Sequence, residues 1–186
     1  HMLDRDALLW KKDPMKRIDL QMVAMIKDAF VHLQAKGFKL HDQVLMSGYS
    51  SSGVFANRFA LLHPEIVKAY AAGGINGLLM MPFSQCNNEK LNYPLGTDDF
   101  QKITGSSFDF ESFQKIPQFL YMGEADTNDA VQMDDGHSDK EREVIYKTFG
   151  EVMLPDRWFA CQLQYKLATH NAQFRTYSGV GHEMNV

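Results

Sequence analysis

A serine hydroxyl becomes a nucleophile at neutral pH when a base stands within hydrogen-bond reach and an anion orients that base. The sequence holds a candidate for each part. In Gly48-Tyr49-Ser50-Ser51-Ser52-Gly53 an apolar run ends in a glycine- and serine-rich turn. A strand turning sharply into a helix there sets Ser50 at the apex, with small residues needed two positions before and after it. Gly48 fills the first of these positions. Ser52 stands where the G-x-S-x-G pattern carries its second glycine, and Gly53 follows at once. With Ser51 as nucleophile, Tyr49 would occupy a position that must be small, so Ser50 is the candidate. The same turn aims the backbone N–H of Ser51 at the developing oxyanion, where the dipole of the following helix helps. Taken alone, the segment is equally a flexible loop between a strand and a helix.

Two later segments add the missing roles. Gly123-Glu124-Ala125-Asp126-Thr127-Asn128-Asp129 follows an apolar run, and either Asp126 or Asp129 could orient a histidine. Aspartates in such loops otherwise serve as turn and helix-capping residues. Gly179-Val180-Gly181-His182-Glu183 follows the last apolar run and carries a glycine-flanked histidine. A lone histidine is usually structural, but the chain order serine, aspartate, histidine is the one that hydrolases with a strand–turn–helix elbow use.

These segments need a scaffold that brings them to one rim. From Asp13-Pro14, apolar residues Ile18, Met22, Ile26, Phe30 and Leu33 recur at helical spacing until Gly37. Gln43 to Met46 reads as a buried strand, and Val54 to Leu62 as a helix ended by His63-Pro64. Further strands are expected at Val67–Ala72, Gln118–Met122 and Ala172–Tyr177. Helices are expected after Ser138, whose hydroxyl forms a capping box with Glu141, and from Pro155 to Thr169. Strands alternating with helices predict an α/β fold: a mostly parallel sheet of about four strands with flanking helices. The ends of its strands, where open parallel sheets carry their active sites, would hold all three loops. Residues 1–186 read as a single domain, in which 75–115 is a long irregular excursion that could form a lid.

The ordered segments, with Asn57-Arg58 and His63-Pro64 downstream of the elbow, resemble the α/β-hydrolase superfamily. Within it the likeness is to bacterial esterases of the feruloyl-esterase and polyhydroxyalkanoate-depolymerase kind, over roughly residues 15–186. The resemblance implies Ser50 as nucleophile, His182 as general base and Asp126 as its orienter, with Asp129 the fallback acid. It implies a carboxylic-ester hydrolase acting through an acyl-enzyme on a small-molecule ester, without cofactor or metal. Peptidase or acyltransferase chemistry on the same residues is the nearest variant. From a different class comes an impaired fragment or a non-catalytic binding module. The chain departs from the family ahead of the elbow, where members carry several strands and an HGG-like loop that supplies a second oxyanion N–H. Residues 1–12, with Leu8-Leu9-Trp10 as their apolar cluster, cannot supply three strands. The chain therefore looks like the carboxyl-terminal half of the fold, with a missing N-terminal piece. His1-Met2 reads as a cloning scar. The strand at 43–47 is then expected to have an unpaired edge, covered by a second copy in a homodimer or by the missing piece.

Composition narrows the classes further. In 186 residues, 45% are hydrophobic and 12% aromatic, which excludes a disordered chain. The formal net charge is −4 and the basic residues are scattered, so nucleic acid is not an expected partner. No apolar run approaches the roughly 18 residues that span a bilayer. Cys86 and Cys161 read as ordinary buried thiols, not a disulfide, and leave the compartment undecided between secreted and cytoplasmic. The acidic run Asp126, Asp129, Asp134, Asp135 and Asp139 does not fit a calcium loop. Phe83, Phe100, Phe108, Phe110 and Phe113 are expected to pin the long excursion to the core, the alternative being an acyl or aromatic pocket. Trp158 is open to either role.

Overall fold

The computed structural model of the chain describes residues 16–133 and 136–184. Helix α1 (Ile18–Ala35) precedes strand β1 (Val44–Tyr49), which turns directly into α2 (Ser51–Leu62) and then β2 (Val67–Gly73). A hairpin of β3 (Gln85–Cys86) and β4 (Glu89–Lys90) and two short helices, α3 (Phe100–Thr104) and α4 (Phe110–Phe113), lead to β5 (Gln118–Gly123). Helices α5 (Asp139–Phe149) and α6 (Trp158–Ala168) then lead to β6 (Ala172–Tyr177). Strands β1, β2, β5 and β6 form a four-stranded sheet in that order, every neighbouring pair parallel. This is the α/β architecture that the alternating pattern predicts, a mostly parallel sheet with flanking helices.

The strand order rises monotonically along the chain, and that has a consequence for the two faces. Right-handed crossovers that always step in the same direction lay every connection on one side of a sheet. The side chains obey this. Tyr70, Ala72, Gln118, Leu120 and Met122 on one face are buried. On the other face Leu45, Phe119, Gln173 and Arg175 are exposed, Leu45 by 78%. Under the covered face Tyr70 and Tyr165 both donate to Gln118 Oε1, at 2.7 and 2.8 Å. Asn57 of α2 joins them through Tyr70 Oη at 3.1 Å and accepts the Met80 amide at 2.9 Å. The network pins α2 and α6 to the sheet, and burial pushes the Tyr70 phenol up to about 12.

Several boundaries differ from the sequence reading. Strand β1 runs on to Tyr49, because Ser47, Gly48 and Tyr49 continue to pair with Ala71, Ala72 and Gly73. The turn is therefore confined to Ser50, and α2 begins at Ser51, three residues ahead of Val54. The expected helix at Pro155 starts later. Leu154, which the following proline keeps extended (φ −128°, ψ 134°), interrupts a wide turn over Met153–Arg157, and the regular helix begins at Trp158. Asp13-Pro14 and Leu8-Leu9-Trp10 lie outside the described residues, as do Asp134 and Asp135. The capping box of Ser138 and Glu141 is present and starts α5.

The segment 75–115 is anchored along its length. Ile75, Leu79, Met80, Met81, Leu91, Tyr93 and Leu95 are buried in it. Phe100 and Phe113 sit in the core, and Phe108 packs on both, at ring distances of 5.5 and 5.7 Å. Trp158 is buried against Phe174 and donates to Thr176 Oγ1 at 2.9 Å. Cys86 and Cys161 are free buried thiols, and burial pushes Cys161 up to about 12. No helix among the described residues is long and apolar enough to cross a membrane. The outer edge of β1 has no strand paired to it among the described residues.

Candidate active site

Ser50 occupies a backbone conformation that an L-residue adopts at a cost, φ 55° and ψ −127°. Its amide still reaches Gly73 O at 2.8 Å, so the strain is held by the last rung of the β1–β2 ladder. The two small positions around the serine divide unequally. A Cβ at Gly48 would overlap the carbonyl of Ser52. Ser52 itself fits, because its Oγ accepts the Tyr49 amide at 2.9 Å and donates to the Tyr49 carbonyl at 2.8 Å. The crowded position is Gly53, where a Cβ would lie 2.8 Å from Gly73 O and 2.9 Å from Ile75 Cγ2. The glycine missing from the G-x-S-x-G pattern is thus needed one residue later, where α2 crosses β2.

The acid and histidine loops are tied to each other. Gly123 lets the 180–181 backbone cross the end of β5, since a Cβ there would overlap the carbonyls of Val180 and Gly181. The Ala125 amide then donates to Val180 O at 2.9 Å. This docking brings His182 Nδ1 within 2.8 Å of Asp126 Oδ2 and His182 Nε2 within 2.9 Å of Ser50 Oγ. Asp126 is buried, and its second oxygen accepts the Asn128 amide at 2.8 Å. A carboxylate facing Nδ1 fixes the tautomer in which Nδ1 carries the proton, leaving the Nε2 lone pair toward the serine.

Asp129 is elsewhere. Its Oδ1 meets Arg157 Nη2 at 2.5 Å, and it also caps the following turn by accepting the Val131 amide at 3.1 Å. Of the two aspartates weighed from the sequence, Asp126 therefore reaches the imidazole. Ser51 is the first residue of α2, so its N–H has no acceptor within the helix.

Two neighbours of the imidazole carried no signal of their role in the sequence. The ring of Tyr49 lies 5.0 Å from that of His182 and walls one side of it. Gly74, at φ +61°, makes room for both, because a Cβ there would lie 2.7 Å from Tyr49 Cζ and 3.1 Å from His182 Cε1. Burial, with Asp126 beside it, raises the Tyr49 phenol above its ordinary range and keeps it neutral. The second neighbour, Asn128, points its Nδ2 at His182 Nε2 from 3.2 Å.

No protein-family model matches the sequence, and no curated protein does so either. Among solved structures, the chain is similar to a PHB depolymerase from Penicillium funiculosum, with TM-score 0.44 and 15% identity, over 76% of this chain and 39% of that one. A PHB depolymerase variant in complex with an R3HB trimer aligns with TM-score 0.46 and 13% identity, over 78% and 41%. Est1E from Butyrivibrio proteoclasticus aligns with TM-score 0.35 and 17% identity, over 82% and 58%. The chain spans less than two thirds of each of these proteins. Likenesses at such TM-scores lend no weight to a functional reading, which rests on the site itself.

Proposed function

We propose that this chain is a serine-dependent carboxylic-ester hydrolase that works through an acyl-enzyme, with Ser50 as nucleophile, His182 as general base and Asp126 as the group that orients it. The observation that carries this reading is the continuous relay from Ser50 Oγ through the imidazole to Asp126, with links of 2.9 and 2.8 Å. Three loops separated by scores of residues meet at one rim, and the serine among them sits in a strained conformation. Strain retained at a polar cluster is the usual mark of a functional turn.

The chemistry follows from the relay. His182 Nε2 takes the Ser50 proton as Oγ attacks the ester carbonyl, and Asp126 stabilises the resulting imidazolium. The carbonyl oxygen, now anionic, is met by the Ser51 N–H and the N-terminal dipole of α2. Collapse expels the alcohol, which leaves with the proton from Nε2. Water then adds to acyl-Ser50 with the same base, releasing the carboxylic acid and restoring the hydroxyl. Transfer to an amine or a second alcohol would use the same residues, so peptidase and acyltransferase activity differ from this reading in the acceptor alone.

A second reading is an impaired enzyme or a binding module on the same fold. It is favoured by the single oxyanion amide at the elbow, since lacking one donor costs about 10²–10³ in rate. Hydrolysis of p-nitrophenyl acetate separates the two. The hydrolase reading expects a burst of about one equivalent of nitrophenol per chain, abolished in Ser50→Ala. Equal rates for the two proteins would sink it.

A further inference from the structure

Asn128 and Ser50 address the same atom. Ser50 Oγ lies 2.9 Å and Asn128 Nδ2 3.2 Å from His182 Nε2, and a neutral imidazole nitrogen offers one in-plane lone pair there. The carboxamide does not arrive by chance. The Asn128 amide is held by Asp126 Oδ1 at 2.8 Å, and the next residue, Asp129, is locked to the fully buried Arg157. The side chain is thereby aimed at the ring from a loop fixed on both sides. A carboxamide also differs from any other neutral partner of that size, because turning it over exchanges a donor for an acceptor. It can serve Nε2 as a lone pair and as N–H.

We propose that Asn128 is a positioning residue for His182 that holds the imidazole during deacylation. The proposal rests on the acyl-enzyme reading above. In the free protein the Ser50 hydroxyl keeps Nε2 in line. Once Ser50 is acylated its oxygen carries no proton, and that tether is gone. Among the described residues Asn128 is then the protein group at Nε2, and the attacking water enters beside it. As water adds to the acyl carbon, Nε2 takes one of its protons, and the carboxamide oxygen accepts from the new N–H. The intermediate then collapses, Ser50 leaves as an alkoxide and recovers that proton, and the carboxylic acid departs.

The test is pre-steady-state hydrolysis of p-nitrophenyl acetate by the full chain and two variants. In Asn128→Ala the backbone bond to Asp126 survives, so the burst should keep its amplitude and its rate to within about threefold, while steady-state turnover falls by about tenfold. In Asn128→Asp a carboxylate faces Nε2 and favours the imidazolium, so the acid limb of the turnover profile should move up by about one pH unit. A part that is merely structural would slow acylation and deacylation together and would not lower turnover with the burst intact. Turnover of Asn128→Ala within twofold of the parent, or an unmoved limb in Asn128→Asp, would overturn the proposal. Should the alanine variant fail to fold, the same comparison of burst and turnover in Asn128→Ser decides. A parent protein with no burst, or one matched by Ser50→Ala, would instead overturn the hydrolase reading beneath it.

Discussion

Asp126 and Asp129 stand three residues apart on one loop and meet different partners, the first accepting from His182 at 2.8 Å and the second from Arg157 at 2.5 Å. On the reading proposed above one orients a base, whereas the other pairs with a fully buried cation. The two should therefore fail differently. Asp126→Asn should retain the fold and lose about 10³–10⁴ in kcat, because an amide can hold the wrong tautomer of the ring. Asp129→Asn should keep turnover within about tenfold and lose about 3–5 kcal/mol of stability, the cost of leaving Arg157 buried and unpaired. Ester hydrolysis and urea denaturation on the same preparations check both. Comparable loss of turnover in the two variants would show that the division of labour is wrong.

The elbow makes a sharper claim about Ser52 and Gly53. Ser52→Gly restores the residue that the G-x-S-x-G pattern asks for, yet it removes two hydrogen bonds to Tyr49 and should cost about 1 kcal/mol. Gly53→Ala adds a methyl 2.8 Å from a carbonyl oxygen and should cost about 1–3 kcal/mol while displacing the elbow. Thermal denaturation with ester turnover tests the order. A Gly53→Ala protein as stable and active as the parent would contradict the packing described.

That contrast also shows what was legible in the residues. Apolar runs bounded by glycine and proline marked β1, β2, β5 and β6, because a buried parallel strand has little freedom in composition. Ser50, Asp126 and His182 stood out because each follows such a run. Less was readable where neighbours distant in sequence decide. Asn87 and Asn88, both at positive φ, turn a hairpin inside a stretch that had seemed irregular. The choice between Asp126 and Asp129 depended on Arg157, about thirty residues on. Asn128 carries no motif of its own, and nothing in its spacing announces a ring nitrogen 54 residues away.

Acid should weaken the fold in two windows. Burial holds His137 neutral, down to about 3 against an ordinary 6.5, with Arg58, Arg157 and Arg142 adding to the effect. Below pH 6.5 the unfolded chain takes up a proton that the fold refuses. Stability should therefore fall, with a limiting slope of about 1.4 kcal/mol per pH unit, until the folded form titrates near pH 3. Burial alone would raise Asp19, but hydrogen bonds from His63 and Arg17 outweigh it and hold the carboxyl at about 2 against 3.8. That contribution is complete above pH 3.8 and is lost toward pH 2. Urea midpoints between pH 8 and pH 2 should show both windows, His137→Phe removing the upper and Asp19→Asn the lower. A flat profile from pH 6.5 to 4 would contradict the buried neutral histidine.

The remaining prediction concerns the outer edge of β1. A parallel sheet is ordinarily covered on both faces and capped at its edges. Among the described residues β1 ends the sheet, and Leu45 is 78% exposed on the open face. We propose that in solution a second copy of the chain pairs along this edge. Two copies meeting there would run antiparallel by symmetry and make one continuous sheet, pairing the backbone of both edges. Sedimentation over a concentration series should show a species of twice 21.2 kDa gaining at the expense of the monomer. Leu45→Lys, which sets a charge on the edge strand of each copy, should hold the chain at the monomer mass without loss of ester turnover. A parent protein that sediments as a monomer at every concentration would rule out a second copy at this edge.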